Sequence, residues 1–300
     1  MKILVFGSLN IDRTYLVPHF VNPGETLAAE KMQLFCGGKG FNQAVALARA
    51  GNQVYFAGAV GADGQVLIDA LEEEKINSFH LKRTSGSSGH AIIQVTPDGQ
   101  NCILIQSGAN GEITPADVAA VLTDFGAGDL VVLQNEISCV DEIIRIAKSR
   151  GMLVAMNPSP LDARIEQYPL EMVDFLFINH GEGCTISGCK EPEAILNELH
   201  ARYPFMNVVL TLGSEGSCYL RNSGSIVRCG IYPVKAVDTT AAGDTFSGYF
   251  LSVLLKEEDA QKALWTAAVA SGLAVSRPGA SASIPYMDEV MAAMAQASLK

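Results

Sequence analysis

The chain has 300 residues, of which 48% are apolar, and its 21 Lys and Arg against 32 Asp and Glu give a formal net charge of −11. A chain of this length usually forms about two domains and can bury a large core. The composition excludes a disordered or fibrous protein. The acidic balance argues against a nucleic-acid-binding surface, because phosphate contacts need clustered Lys and Arg. It does not exclude a small anionic ligand, because backbone N–H groups can hold one.

The sequence predicts neither a membrane span nor a disulfide framework. The longest uncharged stretch, residues 263–276, falls short of the roughly 18 apolar residues that a spanning helix needs. The N-terminal residues reach Asp12 without a signal-peptide cleavage pattern. The seven Cys residues are scattered and form no C-x-x-C pair, which favours reduced thiols. We therefore expect a cytoplasmic protein whose partners include neither membranes nor nucleic acids.

The first third of the chain predicts a buried strand, a helix and some solvent-facing strands. Residues 2–7 are a short apolar run that ends in Gly, which is typical of a buried strand. Residues 26–36 mix apolar and polar side chains, and residues 89–106 read as a hairpin around a Pro-Asp-Gly-Gln turn. Residues 41–50 form an Ala-rich helix that Gly51 closes.

From about residue 107, short apolar runs alternate with helical patterns. This alternation predicts an α/β fold with a mostly parallel central sheet and helices on both faces. A hairpin and two apolar helices follow. The predicted strands are 129–134, 152–157, 174–179 and 207–212, the hairpin is 217–221 with 225–229, and the helices are 140–149, 192–201, 242–256 and 259–276.

The two kinds of pattern suggest a division of the chain. We expect a large α/β domain from residues 1–10, 37–87 and 107–300, and a small discontinuous β-element from residues 11–36 and 88–106. A small sheet assembled from early insertions is well placed to act as a lid.

The segment Asp238-Thr-Thr-Ala-Ala-Gly-Asp-Thr-Phe-Ser-Gly248 is the strongest candidate for chemistry. Ala241, Ala242 and Gly243 are small and lie at the start of an apolar helix, where free N–H groups and the positive dipole end can hold an anion. Asp244 follows, close enough to contact a hydroxyl that approaches the same anion. A carboxylate base beside such a helix end is what phosphoryl transfer to an alcohol needs. An acidic residue that merely stabilises a helix start is the alternative.

Four further segments are candidate binding loops. In residues 36–43, three glycines permit close backbone approach, and Lys39 and Asn42 add donors suited to sugar hydroxyls; an ordinary flexible loop is the alternative. Asn10 and Asp12 follow the first strand, where an Asx-turn is the common explanation. The segments 179–182 and 211–216 each follow a predicted strand, and turn chemistry alone would also explain them.

In chain order, these segments form a series that resembles the ribokinase-like sugar kinases, the phosphofructokinase-B superfamily, and within it the ribokinases most closely. The resemblance covers nearly the whole chain, and an ordered series is far more specific than any one motif. Its motifs are GSLNID at 7–12, NPGET at 22–26, GGKGFNQA at 37–44, GAN at 108–110, NHGE at 179–182, TLGSEG at 211–216, DTTAAGDTF at 238–246 and RPGASASIP at 277–285.

The resemblance implies a three-layer α/β/α fold with a β-sheet lid, and a role for each matched residue. Asp244 is implied as the catalytic base, with Ala241, Ala242 and Gly243 as the anion hole. The implied sugar contacts are Asn10, Asp12, Gly38, Lys39, Asn42 and Glu136. The implied nucleotide contacts are Thr211, Gly213 and Gly216, with Asn179 and Glu182 helping to organise Mg²⁺ and the phosphates. Asp238, Thr240 and Ser283 match the region that binds a monovalent cation, usually K⁺.

Three positions depart from the family pattern and bear on which sugar is bound. Phe41 replaces a residue that is usually small, Ala268 lies where a polar residue often borders the adenine, and Pro278 replaces a common Lys. Lys39 is the only basic residue in the matched sugar motifs, whereas a sugar phosphate would need Arg or Lys nearby. We therefore expect a neutral sugar.

The sequence thus predicts an ATP- and Mg²⁺-dependent kinase that phosphorylates the primary hydroxyl of a pentose. The favoured substrate is ribose, phosphorylated at O5. We also expect the kinase to form a homodimer through the lid. Three alternatives stay open. One is a kinase of the same fold for deoxyribose, fructose, pseudouridine or adenosine. Another is a sugar-binding regulator without activity, which the intact Asp244 segment disfavours. The last, a nicotinamide oxidoreductase, lacks the glycine fingerprint after the first strand.

Overall fold

Two β-sheets organise residues 1–297, the part of the chain that the computed structural model describes. One has nine strands and carries helices on both faces, and the other has four strands. The strands are β1 (Ile3–Phe6), β2 (Asn10–Leu16), β3 (Lys31–Gly37), β4 (Val54–Val60), β5 (Asn77–Arg83), β6 (Gly89–Val95), β7 (Asn101–Gln106), β8 (Leu130–Gln134), β9 (Leu153–Asn157), β10 (Phe175–Asn179), β11 (Asn207–Thr211), β12 (Ser217–Leu220) and β13 (Ile226–Cys229).

The α-helices within the same residues follow most of these strands in the chain. They are α1 (Lys39–Arg49), α2 (Gln65–Glu73), α3 (Pro115–Leu122), α4 (Val140–Ser149), α5 (His180–Ser187), α6 (Pro192–Arg202), α7 (Ala242–Glu257), α8 (Ala260–Val275) and α9 (Met287–Ala297). None of them combines the length and the hydropathy that crossing a bilayer requires. All seven cysteines are free thiols.

The nine-stranded sheet has the order β13-β12-β11-β10-β9-β8-β1-β4-β5. The pairs from β5 to β11 are parallel, and only β12 and β13 join antiparallel at one edge. The strand order reverses direction at β1, which lies between β4 and β8. Ligands of open α/β sheets bind outside the carboxyl ends of the strands at such a reversal.

Alternating side chains of the central strands divide the core into two layers. Ile3 and Val5 face the cluster that α1, α2, α7, α8 and α9 complete, whereas Leu4 and Phe6 face the cluster that α3, α4 and α6 complete. A strand buried on both faces reads as a continuous apolar run, which is why β1 and β8 are recognisable in the sequence. The predicted α/β class with a mostly parallel three-layer core is confirmed.

The four-stranded sheet has the order β3-β2-β6-β7. Strands β2 and β3 pair antiparallel, as do β6 and β7, and a parallel pairing of β2 with β6 joins the two halves. The sheet begins at Asn10 and includes Gly37, one residue beyond each end of the predicted segment 11–36. Residues 26–30 lie outside β3, so the predicted strand at 26–36 is shorter than expected.

Candidate active site

Asp244 lies in the first turn of α7, where the helix meets the carboxyl edge of the central sheet. Its side chain is 4% exposed, and both carboxylate oxygens accept hydrogen bonds from α1. Asn42 Nδ2 donates to Oδ2 at 3.2 Å, and Gln43 Nε2 donates to Oδ1 at 2.9 Å. Two amide donors therefore hold one buried carboxylate at the junction of α1 and α7.

The start of α7 presents a tight backbone turn to an open cavity. Ala241 adopts a left-handed conformation with φ of 59°, and its carbonyl accepts the N–H of Thr245 at 2.8 Å. The N–H of Ala242 donates to the carbonyl of Thr239 at 3.3 Å, so one of the three expected anion-hole residues has an internal partner here. A side chain at Gly243 would meet open space. The first-turn N–H groups of a helix have no intrahelical partner and favour negative charge.

A cavity of about 400 Å³ lies in front of this turn. It brings together residues from the ends of β9, β10 and β11 with the starts of α1, α5 and α7. Most of its lining side chains are polar or small, as an anionic ligand requires. The lining residues are Lys39, Asn157, Ser159, Phe177, Ile178, Asn179, Glu182, Thr211, Thr239, Thr240, Ala241, Ala242, Gly243, Asp244 and Ser247.

Lys39 supplies the basic side chain of this cavity. It is the first residue of α1, and the Asp244 carboxylate, with further help from Glu136 and Glu182, raises the pKa of its ammonium group despite burial. The cation therefore lies among three carboxylates, where it can also meet an incoming phosphate.

The polar residues after β1 and β8 meet beside the start of α1. Ser8 Oγ donates to Glu136, and the same carboxylate accepts the backbone N–H of Lys39 at 2.9 Å. Asn10 is buried, and its Oδ1 accepts Nδ2 of Asn110 at 2.8 Å. These contacts hold four separate chain segments in one corner of the molecule.

Asp12 faces this corner from β2, and burial together with the nearby Glu136 carboxylate raises its pKa from 3.8 to about 7. Two positions beside it, Gly37 and Gly38, require glycine. A Cβ on Gly37 would lie 2.1 Å from Asp12 Oδ2, and Gly38 has φ of 94°, which other residues rarely adopt. Asn42 Oδ1 is buried without a partner, so one acceptor next to the Asp244 carboxylate is unsatisfied.

The Asn179 and Glu182 pair forms a capping box at the start of α5. The N–H of Glu182 donates to Asn179 Oδ1 at 2.9 Å, and the N–H of Asn179 donates to Glu182 Oε2 at 3.0 Å. Ser159 Oγ donates to the other oxygen of Glu182. The turn chemistry that the sequence left open is thus present, and it fixes a carboxylate at the edge of the cavity of about 400 Å³.

A second cavity of about 470 Å³ adjoins the first, and Thr211, Thr239, Ala242 and Gly243 line both. Its walls are largely apolar, which suits the flat face of a nucleobase. The other lining residues include Gly213, Gly216, Tyr232, Val234, Phe246, Ala268, Ser271 and Gly272.

Asp238 connects the loop before α7 to the loop after α8. Its carboxylate accepts the N–H of Thr240 at 2.9 Å, the hydroxyl of Thr240 at 2.6 Å and the N–H of Gly279 at 3.0 Å. Burial opposes ionisation, but these hydrogen bonds outweigh it and lower the pKa of Asp238. Ser283 is buried in the same loop, and its hydroxyl donates to the carbonyl of Ala280 at 2.8 Å.

The three departures from the family pattern lie in different environments. Phe41 is 2% exposed and packs into the core from the buried face of α1. Ala268 lines the cavity of about 470 Å³, and Pro278 is exposed.

The sequence motifs predict no function for several polar residues of the site. Gln43 contacts Asp244, Gln134 contacts Gln43, and Asn110 contacts Asn10. Asn157 and Ser159 line the cavity that contains Asp244. Gln134 and Asn157 each end an apolar strand, so a polar residue at the carboxyl end of a predicted strand is the signal that would have found them.

Comparison with known proteins agrees with this architecture. A family model described as pfkB family carbohydrate kinase matches residues 1–287. Ribokinases of Haemophilus influenzae and Staphylococcus aureus are 34% and 36% identical to the chain, covering 96% of it and 97% and 98% of their own length. A structure of Arabidopsis thaliana ribokinase complexed with ribose and ATP matches with a TM-score of 0.88 at 28% identity, covering 98% of each chain.

Fold, site and relatives together define a phosphotransferase of the sugar-kinase class. The chain belongs to the pfkB family of carbohydrate kinases. The resemblance drawn from the ordered motifs is therefore confirmed.

Proposed function

We propose that the protein transfers the γ-phosphoryl group of ATP to the primary hydroxyl of ribose, giving ribose 5-phosphate and ADP. The observation that carries the proposal is the buried Asp244 carboxylate at the helix start where a largely apolar cavity meets a polar one. The choice of ribose is supported by the relatives named ribokinases, which match over nearly the full chain.

The transfer assigns Asp244 the role of general base. The sugar oxygen attacks the γ-phosphorus, its proton passes to Asp244, and the bond from that phosphorus to the bridging oxygen of ADP breaks. We assign the anion hole to Ala241, Ala242 and Gly243, where backbone N–H groups at the start of α7 would stabilise charge on the moving phosphoryl group. The N–H of Ala242 would have to leave the carbonyl of Thr239 to take part. The ammonium of Lys39, close to the Asp244 carboxylate, adds positive charge on the same side.

The sugar would bind between the central sheet and the four-stranded lid. Carboxylates accept hydroxyl hydrogen bonds, and Asp12, Glu136 and the unpartnered Asn42 Oδ1 provide acceptors there. We assign the remaining contacts to Asn10, Gly38 and Lys39. Closure of the lid, formed by residues 11–36 and 88–106, would exclude water, which competes with the sugar as acceptor.

The nucleotide would lie along the loop Thr211 to Gly216 with its base in the cavity of about 470 Å³. The oxygen-rich edge formed by Asn157, Asn179 and Glu182 fits Mg²⁺, which is usually held through one or two carboxylates, waters and substrate phosphates. When bound, Mg²⁺ neutralises charge on the phosphates. Glu182 would act on it mainly through water.

We assign a site for a monovalent cation, with K⁺ as the favoured ion, to the loop in which Asp238 accepts the N–H of Gly279. An ion there would take oxygen ligands from the carboxylate of Asp238, the side chain of Thr240, the hydroxyl of Ser283 and neighbouring carbonyls, and oxygen is the ligand type that hard cations prefer. Equal activity in sodium-only and potassium buffers would count against this site.

We further propose that the protein works in the cytoplasm as a homodimer joined through the lid. The seven free thiols are consistent with a reducing compartment. The lid exposes several large apolar side chains, among them Leu34, Ile103 and Leu104.

A substrate panel with coupled detection of ADP tests the function. The panel contains ribose, deoxyribose, fructose, pseudouridine and adenosine, each with Mg·ATP. We expect ribose to give the highest kcat/KM and a product phosphorylated at O5. A higher kcat/KM for another acceptor would replace ribose, and sugar binding in calorimetry without ADP formation would indicate a regulator instead of a kinase.

A further inference from the structure

Three buried side chains form a chain of hydrogen bonds that ends on the Asp244 carboxylate. Gln134 Nε2, at the last position of β8, donates to Gln43 Oε1 at 2.7 Å. Gln43 Nε2 in turn donates to Asp244 Oδ1 at 2.9 Å. Gln134 and Gln43 are 0% and 1% exposed, so water does not compete for these contacts.

The ionised carboxylate determines the direction of every bond in this chain. A carboxylate only accepts hydrogen bonds, so Gln43 must turn its NH₂ group toward Asp244 and its carbonyl oxygen toward Gln134. Gln134 must then turn its NH₂ group toward Gln43. Rotating either amide by half a turn would bring two oxygens together at hydrogen-bond distance.

The structure holds Gln134 in place and leaves one of its atoms unsatisfied. Its Oε1 is buried without a partner, and a Cβ on Gly7 would lie 2.2 Å from it. A buried unpartnered oxygen costs free energy that a simple packing role would avoid. Neither Gln43 nor Gln134 is among the residues that line the two described cavities around Asp244.

We propose that Gln43 and Gln134 are positioning residues that hold the Asp244 carboxylate in one orientation for proton transfer. This inference deepens the proposed function and rests on it. Gln43 fixes one oxygen, Gln134 fixes Gln43, and the remaining lone pairs of Asp244 stay directed at the sugar hydroxyl. A displacement of about 1 Å at a reacting group can cost about 100-fold in rate.

The test compares Gln43→Met, Gln134→Met and the double variant, because Met keeps the volume and removes the amide. Steady-state kinetics with ribose and Mg·ATP separate kcat from KM. We expect kcat to fall about 10- to 100-fold in Gln43→Met and about 10-fold in Gln134→Met, with both KM values within about threefold of wild type. Because Gln134 acts only through Gln43, the double variant should be no slower than Gln43→Met alone.

Asn52→Leu is the matched control. Asn52 Nδ2 also joins α1 to α7, through the carbonyl of Leu47 and the hydroxyl of Ser252, but lies at the far end of these helices from Asp244. This variant should lose thermal stability and keep kcat. If Gln134→Met does not fold, Gln134→Asn, which keeps an amide too short to reach Gln43, takes its place with the same expectation.

The outcomes separate the two proposals. Three results would overturn the positioning role while wild type remains an active kinase. A folded Gln134 variant could keep kcat within twofold of wild type, or the losses in kcat could multiply in the double variant. The third result is an effect on KM alone. A wild-type protein that phosphorylates no sugar in the panel would overturn the proposed function, and the positioning role with it.

Discussion

The side chain with the most direct part in the proposed reaction is Asp244. Asp244→Asn keeps the shape and removes the group that accepts the proton, so we expect kcat to fall by about 10²- to 10⁴-fold. Coupled ADP detection at saturating ribose and Mg·ATP measures the loss, and circular dichroism with a thermal melt confirms that the variant folds. Turnover near the wild-type value in a folded variant would remove Asp244 from its role.

A second residue-level prediction concerns Asp12, whose pKa burial and Glu136 raise to about 7. The folded protein then holds a proton between about pH 4 and 7 that the unfolded chain releases, so the contribution of this group to stability falls as pH rises through that window. Sugar hydroxyls that donate to Asp12 favour its ionised form. We therefore expect the affinity for ribose to rise between pH 6 and 8, with release of a proton on binding near pH 7.

Calorimetry in two buffers of different ionisation enthalpy measures this linkage. Asp12→Asn serves as the control, since it should bind more weakly and lose this component of the pH dependence. A wild-type Kd that is constant from pH 6 to 8, without proton release, would contradict the role assigned to Asp12.

At the scale of an element, the start of α5 allows the structural and chemical roles of one carboxylate to be separated. Glu182→Gln keeps a side chain that can close the capping box with Asn179, and it removes the negative charge. We expect the free energy of unfolding to fall by no more than about 1 kcal/mol, because the variant loses the favourable interaction of a carboxylate with the helix N-terminus, while kcat falls and the concentration of Mg²⁺ needed for half-maximal activity rises. Urea unfolding and a Mg²⁺ titration measure the two effects. An unchanged Mg²⁺ titration would leave Glu182 with the capping role alone.

The crossing of α1 and α7 offers a second test at this scale. Gly248 lies one turn after Asp244, and a Cβ there would come within 2.6 Å of Ala46 Cβ and 3.1 Å of the backbone of Ala46 and Leu47. Gly248→Ala should therefore force the helices apart, cost about 1–3 kcal/mol of stability and lower kcat by displacing Asp244 from α1.

Adding Ala46→Gly to that variant should recover part of kcat. The added glycine removes the 2.6 Å contact and leaves the backbone contacts at 3.1 Å, so recovery is incomplete. The same glycine costs up to about 1 kcal/mol of helix stability, so kcat and stability should respond differently. Equal kcat in Gly248→Ala and wild type would show that helix spacing does not control Asp244.

Some strands can be predicted from the sequence alone, and others cannot. Strands β8, β9, β10 and β11 are apolar runs bounded by glycines or polar residues, and their predicted bounds agree with the structure to within one residue. Strand β5 escaped prediction because it is an edge strand of mixed burial, without an apolar run or a regular alternation. Its identity as a strand depends on its pairing with β4, which is a tertiary contact.

In the candidate site, too, local residue chemistry could be predicted from the sequence, but tertiary contacts could not. Motifs at helix starts and strand ends indicated Asp244, Lys39 and Asp12, since local residue chemistry is visible in the sequence. The contact between Asn42 and Asp244 joins residues 202 positions apart, and no local pattern measures such a distance. Gln134 belongs to none of the motifs, and its link to Asp244 becomes visible only when β8 and α1 are packed together.

At the scale of the whole molecule, the lid leaves apolar surface uncovered in a single chain. All residues of β7 are exposed, including Ile103 at 50%, Leu104 at 69% and Ile105 at 57%. Successive residues of a strand point to opposite faces, so both faces of this edge strand are open. An exposed apolar edge strand favours pairing or packing with another chain, and the proposed homodimer would bury it.

Charges on both faces of β7 test that assembly. The double change Ile103→Asp with Leu104→Asp places one carboxylate on each face, and we expect it to convert a dimer into a monomer in sedimentation velocity because a buried unpaired charge is costly. Phe205→Asp is the matched control, since Phe205 is 81% exposed and lies before β11, outside the lid. The two single variants then identify which face the partner covers. A wild-type protein that sediments as a monomer at micromolar concentration, or a dimer that survives both carboxylates, would exclude the lid as the dimer interface.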